Sequence, residues 1–108
     1  MRIGILGGAE KTQSRLRYEQ AAREHGCSVE FHGGHMQGRG SESLHSLVER
    51  CDLVVIVTRV NSHNAVRLAR SLVRKHGREA LIVPRFGLSR FESVMRNQRV
   101  TGTAIHAA

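Results

Sequence analysis

Aromatic residues are scarce in this sequence, which has one Tyr, three Phe and no Trp among 108 residues. Proteins that bind single-stranded nucleic acid usually stack bases on several aromatic side chains, so the composition disfavours that class. No run approaches the roughly 18 apolar residues that a membrane-spanning helix needs. The apolar run at the N-terminus is short and broken by glycine, which is not typical of a signal peptide. We therefore expect a cytoplasmic protein.

Cysteine is also rare, since Cys27 and Cys51 are the two cysteines of the chain. Neither lies in a metal-binding spacing, so we interpret both as small buried thiols of a reducing compartment. The hydrophobic content is 40%, and the charges are spread evenly along the chain. This composition is typical of a folded globular protein, and the length predicts a single domain over residues 1–108.

Acidic residues are few: nine Asp and Glu stand against seventeen Lys and Arg, which gives a net charge of +8. A protein this basic attracts polyanions or anionic ligands. On the third predicted helix, arginines recur at steps of three and four residues, at Arg67, Arg70, Arg74 and Arg78. This stripe is either a solvated face or a contact surface, so nucleic-acid or nucleotide binding is one alternative function.

The most informative stretch runs from Leu53 to Ala65. Leu53–Val57 is an unbroken apolar run, typical of a strand that is buried on both faces. A polar turn follows, and a helical apolar period starts at Ala65. Ser62 is a natural N-cap, which would place His63 in the first helical turn. In α/β proteins such a strand-to-helix turn is a common place for a ligand.

Four β–α units with short connections account for the whole chain, and this pattern predicts right-handed crossovers and a parallel sheet. We expect an α/β fold, a small Rossmann-like three-layer sandwich with flanking helices and strand order 2-1-3-4. Apolar positions on the helices, notably Leu68, Leu72 and Phe91, look difficult for one copy to cover, which predicts a homodimer or higher oligomer. The predicted strands are Arg2–Leu6, Ser28–His32, Leu53–Val57 and Ala80–Val83.

The loops at the strand exits match no nucleotide-binding signature. Gly4, Gly7 and Gly8 do not form G-x-G-x-x-G, and no glycine directly precedes Lys11-Thr12 as a P-loop requires. His32, His35 and His63 would together supply three imidazoles, enough for an open zinc site, so a His-liganded metal protein or hydrolase is a second alternative.

Covalent hydrolysis is disfavoured by the placement of the candidate residues. Ser62 and His63 are adjacent in sequence, so their side chains diverge on a helix. Asp52 lies at the buried entry of the central strand, opposite the loops. A Ser-His-Asp relay is therefore hard to build. We expect a binding protein and not an enzyme.

Several short motifs resemble one bacterial family. The chain has Gly7-Gly8 after its first strand and Phe31-His32-Gly33-Gly34 after its second. Cys51–Val55, Val60–Ala65 and Phe86–Ser89 complete the pattern, and with these motifs the chain resembles the domain-of-unknown-function 2325 family over nearly its whole length. Many relatives have an acidic residue between His32 and the glycines, and two serines where this chain has Arg85-Phe86. Ligand chemistry is therefore expected to differ in detail here.

The resemblance implies a small Rossmann-like oligomer that binds haem. Oxygen would then bind to the haem iron, either for oxygen binding itself or for gas sensing. Because there is no Cys-x-x-Cys-His motif, haem would be held non-covalently. His63 is the first choice for the iron ligand, since it begins a helix anchored by the most buried strand. His32 is the alternative ligand or a distal hydrogen-bond donor. The other expected contacts are Arg59, Arg85 and Arg39 for the propionates, Phe86 and Met36 for the ring, and Asn64 nearby.

Overall fold

The computed structural model describes residues 1–7, 12–33, 40–60 and 63–101. Strands and helices alternate along the chain. The strands are β1 (Arg2–Leu6), β2 (Ser28–His32), β3 (Leu53–Val57) and β4 (Glu79–Val83). The helices are α1 (Thr12–Glu24), α2 (Gly40–Arg50), α3 (His63–His76) and α4 (Leu88–Thr101), and a 3-10 turn spans Thr58–Val60.

The four strands form one parallel sheet in the order β2-β1-β3-β4, which confirms the predicted topology. Ile5 on β1 pairs with Phe31 on β2 and with Val55 on β3. All five residues of β3 are buried, as expected for a central strand covered on both faces.

Helices cover both faces of the sheet, which makes the three-layer sandwich. On one face α1 and α4 pack on alternate strand residues such as Ile3, Val55 and Leu81. On the other face α2 and α3 pack on the residues between them, such as Val54 and Ile56. The two-residue alternation of a strand thus divides the core into two clusters.

Two glycines end the helices that precede β2 and β4. Gly26 has φ 70° and Gly77 has φ 63°, both in the left-handed region that favours glycine. The backbone N–H after each glycine bonds back into the helix, Cys27 N to the carbonyl of Ala22 and Arg78 N to that of Val73. These are glycine C-caps, and they turn the chain back into the sheet.

Gly4 allows α2 to pack closely on β1. A Cβ placed on Gly4 would collide with the Cδ2 atom of Leu47 and lie 3.0 Å from the Sγ atom of Cys51. The backbone of β1 is therefore in direct contact with the α2 side chains, and any larger residue at this position must displace Leu47 or the helix that carries it.

Three details differ from the sequence expectations. Phe91 and Leu72 are 0% and 3% exposed, so the chain covers them without a partner, and the expectation that they are left open was wrong. Asp52 does lie at the entry of β3, but it is exposed and accepts a hydrogen bond of 2.8 Å from the backbone N–H of Arg2.

The third difference is that Arg78 does not extend the α3 stripe. It lies beyond Gly77, where the helix has ended, and its guanidinium donates to the backbone carbonyl of Glu49 on α2.

None of the helices in the described ranges is long and apolar enough to cross a membrane.

Candidate functional site

The carboxyl ends of the parallel strands meet at one edge of the sheet, and the polar residues of interest follow directly after them. Gly7 follows β1, and Gly33 follows His32, the last residue of β2. Thr58 and Arg59 follow β3, and Pro84 and Arg85 follow β4. In open α/β sheets this edge is where ligands bind, near the point at which the strand order reverses. Here the reversal lies between β1 and β3.

The loops after β3 and β4 are tied together by hydrogen bonds. The backbone N–H of Arg59 donates to the carbonyl of Pro84 at 3.3 Å. The Thr58 hydroxyl donates to the carbonyl of Val83 at 3.4 Å. As a result, Arg59 and Arg85 extend from two connected loops, and both side chains are exposed. The pair presents two guanidinium groups, which favour carboxylates or phosphates as ligands.

His63 and Asn64 open α3 at the same edge, and both are exposed. The following residue, Ala65, is completely buried, and Ala69 one turn later is buried as well. The backbone of His63 is therefore fixed by the core packing of its own helix, while its imidazole remains accessible to a ligand.

His32 has the opposite environment, because its side chain is only 5% exposed. Its Nε2 atom lies 2.8 Å from the carbonyl oxygen of Gly40, the first residue of α2. A carbonyl only accepts hydrogen bonds, so Nε2 carries the proton. The His32 carbonyl also accepts from the Gly7 N–H at 2.8 Å. His32 therefore joins the end of β2 to β1 and to the start of α2.

Phe86 contributes to an aromatic cluster that contains every aromatic residue of the chain. The ring centroids of Tyr18 and Phe91 are 5.1 Å apart, those of Phe86 and Phe91 6.1 Å, and those of Tyr18 and Phe31 5.8 Å. The Arg15 guanidinium lies 5.5 Å above the Phe31 ring. Phe86 is half-buried, so one part of its ring remains available at the edge.

Tyr18 is the polar member of this cluster. Its hydroxyl donates to the carbonyl of Phe86 at 3.5 Å. Burial raises the pKa of Tyr18 above its usual value, because the phenolate would be poorly solvated there. The hydrogen bond ties α1 to the loop after β4.

Three predicted site residues, His35, Met36 and Arg39, lie outside the described residues. Among the residues described, no group of three or more His, Cys, Asp or Glu is arranged to hold a metal ion. His32 and His63 are thus the two predicted ligands whose surroundings are seen, and only His63 has an exposed imidazole.

No sequence pattern pointed to the ion pair between Glu30 on β2 and Arg50 on α2, twenty residues apart. The Arg50 guanidinium donates two hydrogen bonds to Oε1 of Glu30, from its Nη2 at 2.7 Å and from its Nε at 3.1 Å. Arg50 holds the pKa of the Glu30 carboxyl below its usual value. The pair lines a polar cleft of about 370 Å³ between β2 and α2, with His32, Glu42, Ser43 and Ser46.

Cys51 lies against this ion pair. Its Sγ atom is 3.7 Å from Oε2 of Glu30. Burial raises the pKa of the Cys51 thiol to about 12, and the neighbouring Glu30 carboxylate adds to the shift. The thiol is therefore protonated at neutral pH and is not a nucleophile in the folded protein.

The sequence model of one family, described as an uncharacterized protein conserved in bacteria (DUF2325), matches residues 2–98. The chain belongs to the DUF2325 family. The matched span contains all four strands and every loop of the strand-exit edge.

Two related chains are named UPF0751 proteins. This DUF2325 protein is 28% identical to a UPF0751 protein of Bacillus anthracis (strain A0248) over 85 residues, which are 79% of this chain and 82% of the relative. It is 26% identical to a UPF0751 protein of Bacillus cereus (strain AH820) over the same shares of the two chains. No solved structure gives a significant match.

The geometry divides the site residues of this DUF2325 protein into two groups. His63, Asn64, Arg59 and Arg85 are exposed at the exits of β3 and β4 and can contact a ligand. His32 is buried beneath the same edge and positions the chain between β2 and α2. The sequence placed both histidines at this edge, but it did not distinguish the exposed one from the buried one.

Proposed function

We propose that this DUF2325 protein binds haem non-covalently at the strand-exit edge, with His63 as the iron ligand. The observation that carries the proposal is the exposed imidazole of His63 at the start of a helix that is anchored two residues later by the fully buried Ala65. A rigid backbone with an accessible imidazole suits an axial ligand, since the nitrogen is presented with little loss of conformational freedom.

The two arginines beside this edge suit the anionic part of haem. Arg59 and Arg85 are exposed on loops joined by the hydrogen bond from Arg59 N to Pro84 O. Two carboxylate side chains of the porphyrin would find charge-assisted hydrogen bonds there. When bound through a histidine, haem iron supplies a site for a diatomic gas such as oxygen.

A single chain offers little exposed apolar surface to contact the porphyrin ring. Phe86 is half-buried and offers part of its ring, while the large hydrophobic residues exposed in the described ranges are Met1 and Leu16. The proposal therefore includes a second copy of the chain that covers the remaining face of the ring. Pairing two such edges would enclose haem without requiring a deep pocket in either copy.

His32 takes the role of a positioning residue in this proposal. Its Nε2 proton is engaged by the carbonyl of Gly40, so an iron bond at Nε2 would require this hydrogen bond to break. The arrangement supports His63 over His32 as the ligand. Loss of the His32 side chain would remove its hydrogen bond to Gly40 at the start of α2 and lower stability.

The test reconstitutes the protein with haem and compares His63→Ala with His76→Ala. His76 is the last residue of the helix that His63 begins, so the control removes an imidazole from the same element. We expect His63→Ala to lose the Soret band of the bound state and more than about tenfold in affinity, or about 1.4 kcal/mol. His76→Ala should bind like the parent protein. Circular dichroism confirms that both variants fold.

A rescue experiment separates ligation from a structural effect. In His63→Gly, added imidazole should restore the Soret band, because a free imidazole can replace the missing ligand. A Soret band and an affinity of parent quality in both His63→Ala and His32→Ala would show that the site is elsewhere. Failure of the unmodified protein to bind haem at all would overturn the function itself.

A further inference from the structure

We propose that the exposed face of α3 binds the phosphate backbone of duplex nucleic acid without preference for sequence. This face is formed by Arg67, Arg70 and Arg74, which we call the α3 arginine face. All three side chains are exposed, and none forms an ion pair with another described residue. The α3 arginine face thus carries three guanidinium groups whose charge is not neutralised by the fold.

The charge of α3 differs from that of every other helix. Its sequence HNAVRLARSLVRKH contains no acidic residue and also includes Lys75. Acidic residues occur on the three other helices, at Glu19 and Glu24 on α1, Glu42 and Glu49 on α2, and Glu92 on α4. With four basic and no acidic residues, α3 carries +4, which is half of the net charge of +8. Like charges at Arg70 and Arg74 repel each other, and a polyanion would relieve this repulsion.

The orientation of the α3 arginine face is fixed by the other side of the helix. Ala65 is fully buried, and Ala69, Leu72 and Val73 are buried in the core against the sheet and α2. Because α3 cannot rotate without losing this packing, the arginines point to solvent together. At about 1.5 Å per residue, Arg67 and Arg74 are separated by roughly 10 Å along the helix. A DNA duplex carries about one phosphate charge per 1.7 Å of its length, so several phosphates lie within that reach.

Other classes of polyanionic partner are less well matched by the structure. A single strand would need stacking platforms, yet all four aromatic rings belong to the cluster on the α1 and α4 side of the sheet. A membrane surface would be favoured by apolar side chains that insert among the lipids. The apolar residues of α3 are buried or half-buried, and the large hydrophobic residues exposed in the described ranges, Met1 and Leu16, lie elsewhere.

The test measures binding of a short mixed-sequence duplex DNA over a series of salt concentrations. It compares the triple variant Arg67→Gln, Arg70→Gln, Arg74→Gln with the control Arg17→Gln, Arg90→Gln, Arg96→Gln. The control arginines are exposed on α1 and α4, across the sheet from α3. Both triples change the net charge equally, and glutamine is about as good a helix former as arginine.

We expect the α3 triple to reduce the slope of log K against log salt by about 2.7, as the loss of three phosphate contacts predicts. The control triple should keep nearly the slope of the parent protein. With a duplex of unrelated sequence, each protein should give the same slope as with the first duplex. Equal losses in both triples, or no binding of the parent protein at low salt, would overturn the proposal. Tighter binding to single-stranded DNA or to vesicles of anionic lipid than to the duplex would also overturn it. Because His63 is unchanged in both triples, haem binding tests the other proposal independently.

Discussion

The imidazoles of His32 and His63 lie at the same edge of the sheet but differ in chemical freedom. His32 is 5% exposed and holds the carbonyl of Gly40 at 2.8 Å, whereas His63 is exposed at the first position of α3. A ligand can reach His63 without breaking a contact of the fold that the structure describes. At His32 it would have to compete with a buried hydrogen bond, whose loss leaves a carbonyl unsatisfied at a cost of about 1–3 kcal/mol.

Cys51 offers a residue-level prediction about pH. The pKa of its thiol is raised to about 12 by burial, whereas an exposed thiol has a pKa of about 8.5. The stabilising effect of the protonated thiol is complete below pH 8.5 and is lost as the pH rises toward 12, because only the unfolded chain ionises readily there. We expect stability to fall by up to about 1.4 kcal/mol per pH unit in this window.

The measurement is urea unfolding at several pH values from neutral to mildly alkaline. Cys51→Ala removes the thiol, so its stability should depend less on pH than that of the parent protein. Cys27→Ala is the matched control, since Cys27 is only half-buried. An identical pH dependence in Cys51→Ala and the parent would refute this account of the thiol.

At the scale of secondary-structure elements, the contact of α2 with β1 depends on the absence of a side chain at Gly4. In Gly4→Ala the new Cβ would collide with Leu47 and approach Sγ of Cys51. We expect a loss of about 1–3 kcal/mol in the free energy of unfolding, the usual cost of overpacking a core. Denaturant unfolding measures this loss directly.

Gly87→Ala is the control for that experiment. No atom lies within 4 Å of a Cβ built on Gly87, so the substitution creates no overlap and should cost less stability than Gly4→Ala. If Gly4→Ala is as stable as Gly87→Ala, α2 can shift away from β1 without cost, and the tight contact is not important for the fold.

The elements themselves were predictable from local signals. The apolar run Leu53–Val57 predicted the buried central strand, since this signal depends on neighbouring residues only. The strand order was the one expected for a compact Rossmann-like fold of this length, and the structure confirms it. Tertiary partners were not predictable in the same way. Periodicity identified Leu72 and Phe91 as apolar positions, but it could not show that the sheet covers them.

The candidate site was predictable in place but not in detail. The sequence located His32 and His63 at the strand exits, because each follows a recognisable strand. It could not show the hydrogen bond of His32 to Gly40, since that bond depends on how α2 packs. Spacing likewise extended the arginine stripe to Arg78, which instead follows Gly77 and donates to the Glu49 carbonyl.

At the scale of the whole molecule, the two helical layers are chemically different. The layer of α1 and α4 contains the aromatic cluster, and the layer of α2 and α3 carries the arginine face and the Glu30–Arg50 pair. The proposed haem contacts lie at the sheet edge between these layers. The two proposed binding surfaces therefore adjoin on α3, since Arg67 lies one helical turn after His63.

The proposed haem site predicts a link between ligand and assembly. If a second copy covers the ring, haem-loaded protein should sediment as a dimer or larger species, well above the 12.0 kDa of one chain. His63→Ala, given the same haem, should sediment like the haem-free parent. Haem-loaded protein that sediments only as a 12.0 kDa species would show that one chain is sufficient for binding.

The aromatic cluster also determines how the folded protein interacts with ultraviolet light. Tyr18 is the single tyrosine and there is no tryptophan, so one phenol dominates absorption near 280 nm and intrinsic fluorescence. That phenol lies between Phe31 and Phe91 and is hydrogen-bonded to the Phe86 carbonyl, where α1, β2 and α4 meet. Tyrosine emission and near-ultraviolet circular dichroism thus report on the packing of α1 and α4 against this face of the sheet. The helices on the opposite face of the sheet contribute no chromophore to either signal.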